Sequence, residues 1–133
     1  MATKPVYENE PINNLTFAAG SVVLSGSATV AAASGSNQAS GTPITASNNG
    51  VTVGSANYSV TMPPAIPGLE IDVLNLNASN NLRVYPSASD NAGTGGTINA
   101  GSANAVYSMA GGTSTTFICL SAGAWYTNPR VAS

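Results

Sequence analysis

Pro67-Gly-Leu-Glu-Ile-Asp-Val-Leu-Asn-Leu76, Leu82-Arg-Val-Tyr-Pro-Ser87, Gly95-Gly-Thr-Ile-Asn99, Ala110-Gly-Gly-Thr-Ser-Thr-Thr-Phe-Ile-Cys-Leu120 and Ala124-Trp-Tyr-Thr127 decide the fold of this 133-residue chain. Apart from Gly95–Asn99, which reads as a loop, these are short apolar runs rich in β-branched and aromatic residues, separated by turn-forming Gly, Pro, Asn and Ser. Upstream, the same reading gives strands at Pro43–Thr45, Val51–Val53 and Tyr58–Met62, and downstream at Ala105–Met109, while Leu15–Leu24 and Ala28–Ala33 are short strand-like pieces. Asn48-Asn49-Gly50, Gly93–Gly96 and Gly111-Gly112 read as turns, because Gly and Asn enter positive φ cheaply. No segment of helical length carries a 3.6-residue apolar period. The class is all-β, with a short-stranded β-barrel or jelly-roll-like β-sandwich as the expected architecture.

Two hairpins can be drawn in register. A loop over Asn77–Asn81 sets Leu76 against Leu82 and Leu74 against Val84, with Val73 and Tyr85 on the other face, so both faces are expected to be at least partly buried. The turn Ser121-Ala122-Gly123 sets Cys119 against Trp125, with Phe117 on the same face.

Composition narrows the functional classes. Only 6% of residues are charged and the net charge is −2, so solubility rests on Ser, Thr, Asn and Gly. The three cations, Lys4, Arg83 and Arg130, form no basic patch, and nucleic acid is excluded as an expected partner. No run of roughly 18–20 apolar residues offers a membrane span. Lys4 is followed by Glu8, Glu10 and Pro11 rather than an apolar core, so no export signal is expected. The absence of histidine removes imidazole-based catalysis and imidazole metal sites, and a single cysteine allows no intrachain disulfide.

The organisation reads as an arm and short strands over residues 1–35, with Met1–Asn14 extended, then a β module over 36–133. The Ser/Gly/Asn/Gln stretch Ser34–Ser40 marks the boundary.

Individual polar residues have plain structural readings. Glu70 and Asp72 alternate on one strand and share a face, the geometry of a cation site or an acid/base pair, but no third ligand is near in sequence. A polar rim or an intersubunit contact is the better account. Asp90 and Asn91 have oxygens for calcium but lack the acidic pattern of a calcium loop, which favours turn chemistry. Cys119 has no histidine to activate it and reads as a small buried apolar residue. Trp125 and Tyr126 are adjacent on a strand, so only one of them can face a sugar. The Asn-X-Ser/Thr triplets at Asn14, Asn57 and Asn77 matter only in a glycosylating pathway. No catalytic, cofactor-binding or metal-ligating residue is assigned, and no cofactor is expected.

The order of these parts, with a strand after Pro67-Gly68, an apolar pair of strands, the Tyr85-Pro86 turn, the Ile98-Asn99 loop and a final Trp125-Tyr126 hairpin, resembles a small β module of structural proteins in tailed-phage virions. The resemblance covers roughly residues 42–127. It implies a capsid decoration protein that binds the outer surface of the assembled head, with the major capsid protein as partner and a homotrimer as the assembled form. The scarcity of edge-guarding charges, with Arg83 the one basic residue between Thr42 and Asn128, also asks for closed or covered sheet edges. By this analogy Met1–Asn14 or the adjoining strands contact the capsid. The alternative is a receptor- or carbohydrate-binding tip of a tail fibre or adhesin, with a host-surface glycan as partner. An enzyme using Glu70 and Asp72 is the remotest of the three readings.

Overall fold

In a computed structural model of the chain, residues 26–35 and 37–129 are described. They contain β1 (Ser27–Ala31), β2 (Thr42–Pro43), β3 (Asn48–Thr52), β4 (Tyr58–Thr61), β5 (Glu70–Asn75), β6 (Leu82–Tyr85), β7 (Thr97–Ile98), β8 (Tyr107–Met109), β9 (Ser114–Ser121) and β10 (Ala124–Pro129). Odd-numbered strands from β1 to β5 lie in one sheet and even-numbered strands from β2 to β6 in a second, each parallel to the strand two before it. The chain therefore winds as a coil with one strand in each sheet per turn, which is a β-solenoid. Asn48 pairs with Asp72 and Tyr58 with Leu82, both 24 residues apart, whereas Ser27 pairs with Asn48 at 21.

The all-β class stands, but the barrel or sandwich expectation is overturned. A barrel or jelly roll joins neighbouring strands by hairpins or Greek-key connections. Here each connection over residues 27–85 crosses to the other sheet, and the next strand in the same sheet must then run parallel. The Asn77–Asn81 hairpin fails for this reason. β5 belongs to the six-stranded sheet in the order β1-β3-β5-β9-β10-β7, and β6 to the four-stranded sheet β2-β4-β6-β8, so Leu76 and Leu74 do not face Leu82 and Val84. Leu74 and Leu76 are 41% and 50% exposed while Val73 is buried, so the sheet buries one face there and not two. Asn48-Asn49-Gly50 is strand rather than turn, held between β1 and β5.

The interior follows from period-two alternation repeated coil after coil. Inward residues meet across the register as Ala28-Asn49-Val73 and Val30-Val51-Asn75 in the first sheet, and as Val60-Val84 in the second. Ile71, Leu82, Phe117 and Trp125 complete one continuous core, and Tyr107 meets the Phe117 ring edge-on at 5.6 Å. After β6 the winding stops. β9 runs antiparallel to β5 and β8 antiparallel to β6, and together they cover the last coil. Cys119 faces Trp125 in the β9–β10 hairpin as expected, with Gly123 at φ +75° in the turn.

Asparagine side chains stitch the corners. Asn75, fully buried, donates through Nδ2 to the carbonyls of Asn80 (2.8 Å) and Ala110 (3.1 Å) and accepts from the Asn77 N–H through Oδ1. Asn77 and Asn80 both donate to the Val53 carbonyl, tying this corner to the coil before it. Ser34–Ser40, read as a loop or linker, connects β1 to β2 and packs on the second sheet, where the Ser59 hydroxyl donates to Gly35 O and the Thr61 hydroxyl to Gln38 O. Val30 and Ala32 belong to the same core as the strands beyond residue 36. The expected arm, Met1–Asn14, lies outside the described residues, as does Leu15–Leu24.

Replacing Asn75 by Ala leaves the Asn80 carbonyl and the Asn77 N–H without their side-chain partner, while the Ala110 carbonyl keeps the Thr113 hydroxyl, so Asn75→Ala should cost roughly 2–3 kcal/mol in denaturant unfolding. Asn128→Ala, on the exposed face of β10, should change stability by less than about 0.5 kcal/mol. Equal effects of the two would refute the corner clamp.

Candidate functional site

The residues singled out from sequence fall into different parts of the coil. Cys119 is buried and its thiol donates to the Ser121 carbonyl at 3.2 Å. Burial pushes the thiol pKa up and the nearby Asp90 charge adds to this, outweighing the thiolate-favouring backbone at Ser121 and Ala124, so the group is held in its poorly nucleophilic form. Trp125 is fully buried, with its Nε1 unpartnered among the described residues, and its neighbour Tyr126 faces outward at 36% exposure. The strand alternation expected for this pair therefore holds.

Asp90 and Asn91 form part of a tight turn, Asp90–Gly93, in which Asn91 and Ala92 have φ of 51° and 56°. Asn91 Nδ2 donates to Gly95 O at 2.9 Å, an internal turn bond in keeping with the turn reading. Asp90 does something the sequence did not suggest. Its buried carboxylate accepts the Ala65 N–H at 3.0 Å, and the Ala65 carbonyl in turn accepts the Gly123 N–H, so one side chain links the 63–66 segment, the 90–96 turn and the final hairpin. Burial raises the Asp90 pKa above 3.8, opposed by the Ala65 bond.

Glu70 and Asp72 do share the outer face of β5, and Thr116 Oγ1 donates to Asp72 Oδ1. Among the described residues no group of three His, Cys, Asp or Glu gathers to hold a metal.

The register brings together residues that are far apart in sequence. On the outer face of the first sheet, Ser27, Asn48, Asp72, Thr116 and Asn128 form one polar row across five strands. Neighbouring members are about 4.8 Å apart, the strand spacing. The row on one side is Thr29-Gly50-Leu74-Ser114, and on the other Glu70-Ile118-Tyr126. Because Gly50 has no side chain, the gap between the Asp72 and Leu74 rows opens into a groove of about 420 Å³, bounded by Ser27, Asn48, Asp72, Leu74 and Ser114. Ala28, Asn49 and Val73 send their side chains inward and give the groove a main-chain floor. A second depression of about 370 Å³ lies beyond Leu76, beside Thr52, Tyr58 and Asn77.

Sequence reasoning located Asp72 but neither groove. The one signal available was the 24-residue spacing that relates Asn48 to Asp72 and Tyr58 to Leu82. No family model matches the sequence, and no curated protein or solved structure is detectably similar to it.

The raised Asp90 pKa has a defined sign. The folded state binds the Asp90 proton more tightly than the unfolded chain, so this group's contribution is most favourable at low pH and is lost as pH rises from 3.8 through the higher folded value. Asp90→Asn keeps an acceptor for the Ala65 N–H and removes the buried charge. It should raise Tm near about pH 7 and leave it nearly unchanged near about pH 3, where the wild-type carboxyl is also neutral. A loss of Tm near about pH 7 that disappears near about pH 3 would show instead that the carboxylate is needed as a charge.

Proposed function

We propose that the chain is a structural virion protein that decorates the outer surface of a phage capsid and stabilises it. The observation that carries this reading is the inequality of the two ends of the coil. At the far end the winding stops in antiparallel strands and the outermost strands, β7 and β8, have only two and three residues, whereas at the other end the five-residue β1 is the outermost strand of its sheet, with no neighbouring strand on that side among the described residues. β1, Ser27-Ala-Thr-Val-Ala31, carries no charge and no proline, and so lacks the usual protection against pairing with another chain. Unequal edges of this kind suit attachment through the β1 side, with the β9–β10 hairpin pointing away. The order of turn and strand motifs that resembles phage virion modules supports the same assignment.

In this reading the partner is the major capsid protein, the location is the outside of the head, and the assembled form is a homotrimer. Leu120, 70% exposed in the β9–β10 hairpin, supplies apolar area for contacts between subunits. Purified protein should co-sediment with capsids to a saturable, regular stoichiometry, and should elute as three chains by light scattering. With Arg83 the only cation among the described residues, capsid binding should change little with salt. Deleting residues 2–14 should abolish capsid binding while leaving a folded oligomer. Absence from capsids, or binding that collapses with modest salt, would overturn the assignment.

A further inference from the structure

We infer that the groove over Gly50 on the outer face of the first sheet is a binding site for a neutral glycan. The inference goes beyond capsid attachment and does not depend on it.

Four features of the groove select the ligand chemistry. First, it has unused polar capacity. The Asn48 amide and the Ser27 and Ser114 hydroxyls make no hydrogen bond within the described residues, and Asp72 uses Oδ1 on Thr116 and keeps Oδ2 free. Together these groups present donors and acceptors in close alternation. A sugar ring matches this pattern, because each of its hydroxyls both donates and accepts. Second, Leu74, 41% exposed, forms the opposite wall, an apolar surface for the C–H face of the ring. Third, among the described residues the groove has one carboxylate and no Lys or Arg, so a phosphate, a sulfated chain or a sialic acid would meet repulsion there without compensation. Fourth, the shape is preset. The floor is main chain held between two strands on either side, and a volume of about 420 Å³ lies within the usual range for small-ligand sites. A peptide would compete instead for the free edge of β1, and a lipid would need a continuous apolar surface that the Ser27-Asn48-Asp72 row interrupts.

The site also differs from the one expected around Trp125 and Tyr126. Trp125 is buried, and Tyr126 lies one row beyond the Asp72 row on the side away from Leu74, over β10 rather than over β3. Gly50 is the specificity element. A Cβ there would come to 3.0 Å from Leu76 Cδ1, so a larger residue would displace Leu76 and crowd the floor beside it.

The experiment is binding of the purified full chain to an array of neutral oligosaccharides built from glucose, galactose, mannose and N-acetylglucosamine, followed by titration of the best ligand. Asn48→Ala and Asp72→Ala should each weaken binding at least about tenfold, the loss of one or two hydrogen bonds. Gly50→Val, a β-branched residue suited to a strand, should abolish binding by filling the floor, and Tyr126→Ala should leave it unchanged. Tm measured on every variant separates loss of the site from loss of the fold. Asn48→Ala should still co-sediment with capsids, which keeps this test apart from the attachment reading. No binding to any neutral oligosaccharide, binding confined to anionic glycans, or binding lost with Tyr126→Ala but retained in Asn48→Ala would overturn the proposal.

Discussion

Everything in this protein depends on parallel, in-register stacking of one coil on the next. A strand of four to six residues such as β4 or β5 cannot hold its own backbone groups satisfied, and isolated strand pairs are marginal in water. Stacking gives each strand a neighbour and at the same time forces like positions together. Val51 must sit between Val30 and Asn75, and Asn49 between Ala28 and Val73, so a polar residue inside one coil has to find its partners there. Asn75 does so with three hydrogen bonds. Asn49 gives both protons, to Ala46 O and Asp72 O, but its Oδ1 stays unpartnered among the described residues.

The same rule that builds the interior also writes the exterior. Alternation places Asn48, Asp72 and Thr116 outward at one level and Gly50, Leu74 and Ser114 at the next, so residues far apart in sequence become two adjacent rows. A single glycine helps shape this surface, since a Cβ at position 50 would come to 3.0 Å from Leu76 Cδ1 and force that side chain to shift. The reversal at β8 to β10 ends the winding and makes the two ends chemically different. Asp90 supports that reversal, its buried carboxylate holding the Ala65 N–H while the Ala65 carbonyl accepts the Gly123 N–H of the final hairpin.

Much of the local structure was legible without coordinates. The strands at Leu82–Tyr85 and Tyr58–Met62, the Gly112 turn, the pairing of Cys119 with Trp125, and the opposite faces of Trp125 and Tyr126 all follow from short-range rules of propensity and alternation. What misled was the segment between Leu76 and Leu82. Two apolar strands joined by five Asn, Ala and Ser residues fit a hairpin and a solenoid corner equally well, because propensity records how a residue sits in a strand and not which strand lies beside it. Asn48-Asn49-Gly50 misled in the opposite direction. Its turn-like composition was outvoted by pairing on both sides, β1 at one edge and β5 at the other.

The amino-acid sequence by itself determined the all-β class, the absence of imidazole chemistry, the charge-poor surface and the positions of most strands. These depend on composition and on interactions within a few residues. Only the tertiary structure decided that the strands wind as a solenoid, that Leu74 faces solvent, that Asp90 joins three loops and that Ser27, Asn48, Asp72 and Ser114 meet around one groove. Each of these depends on contacts 20 or more residues apart, and local propensity carries no information about register at that distance.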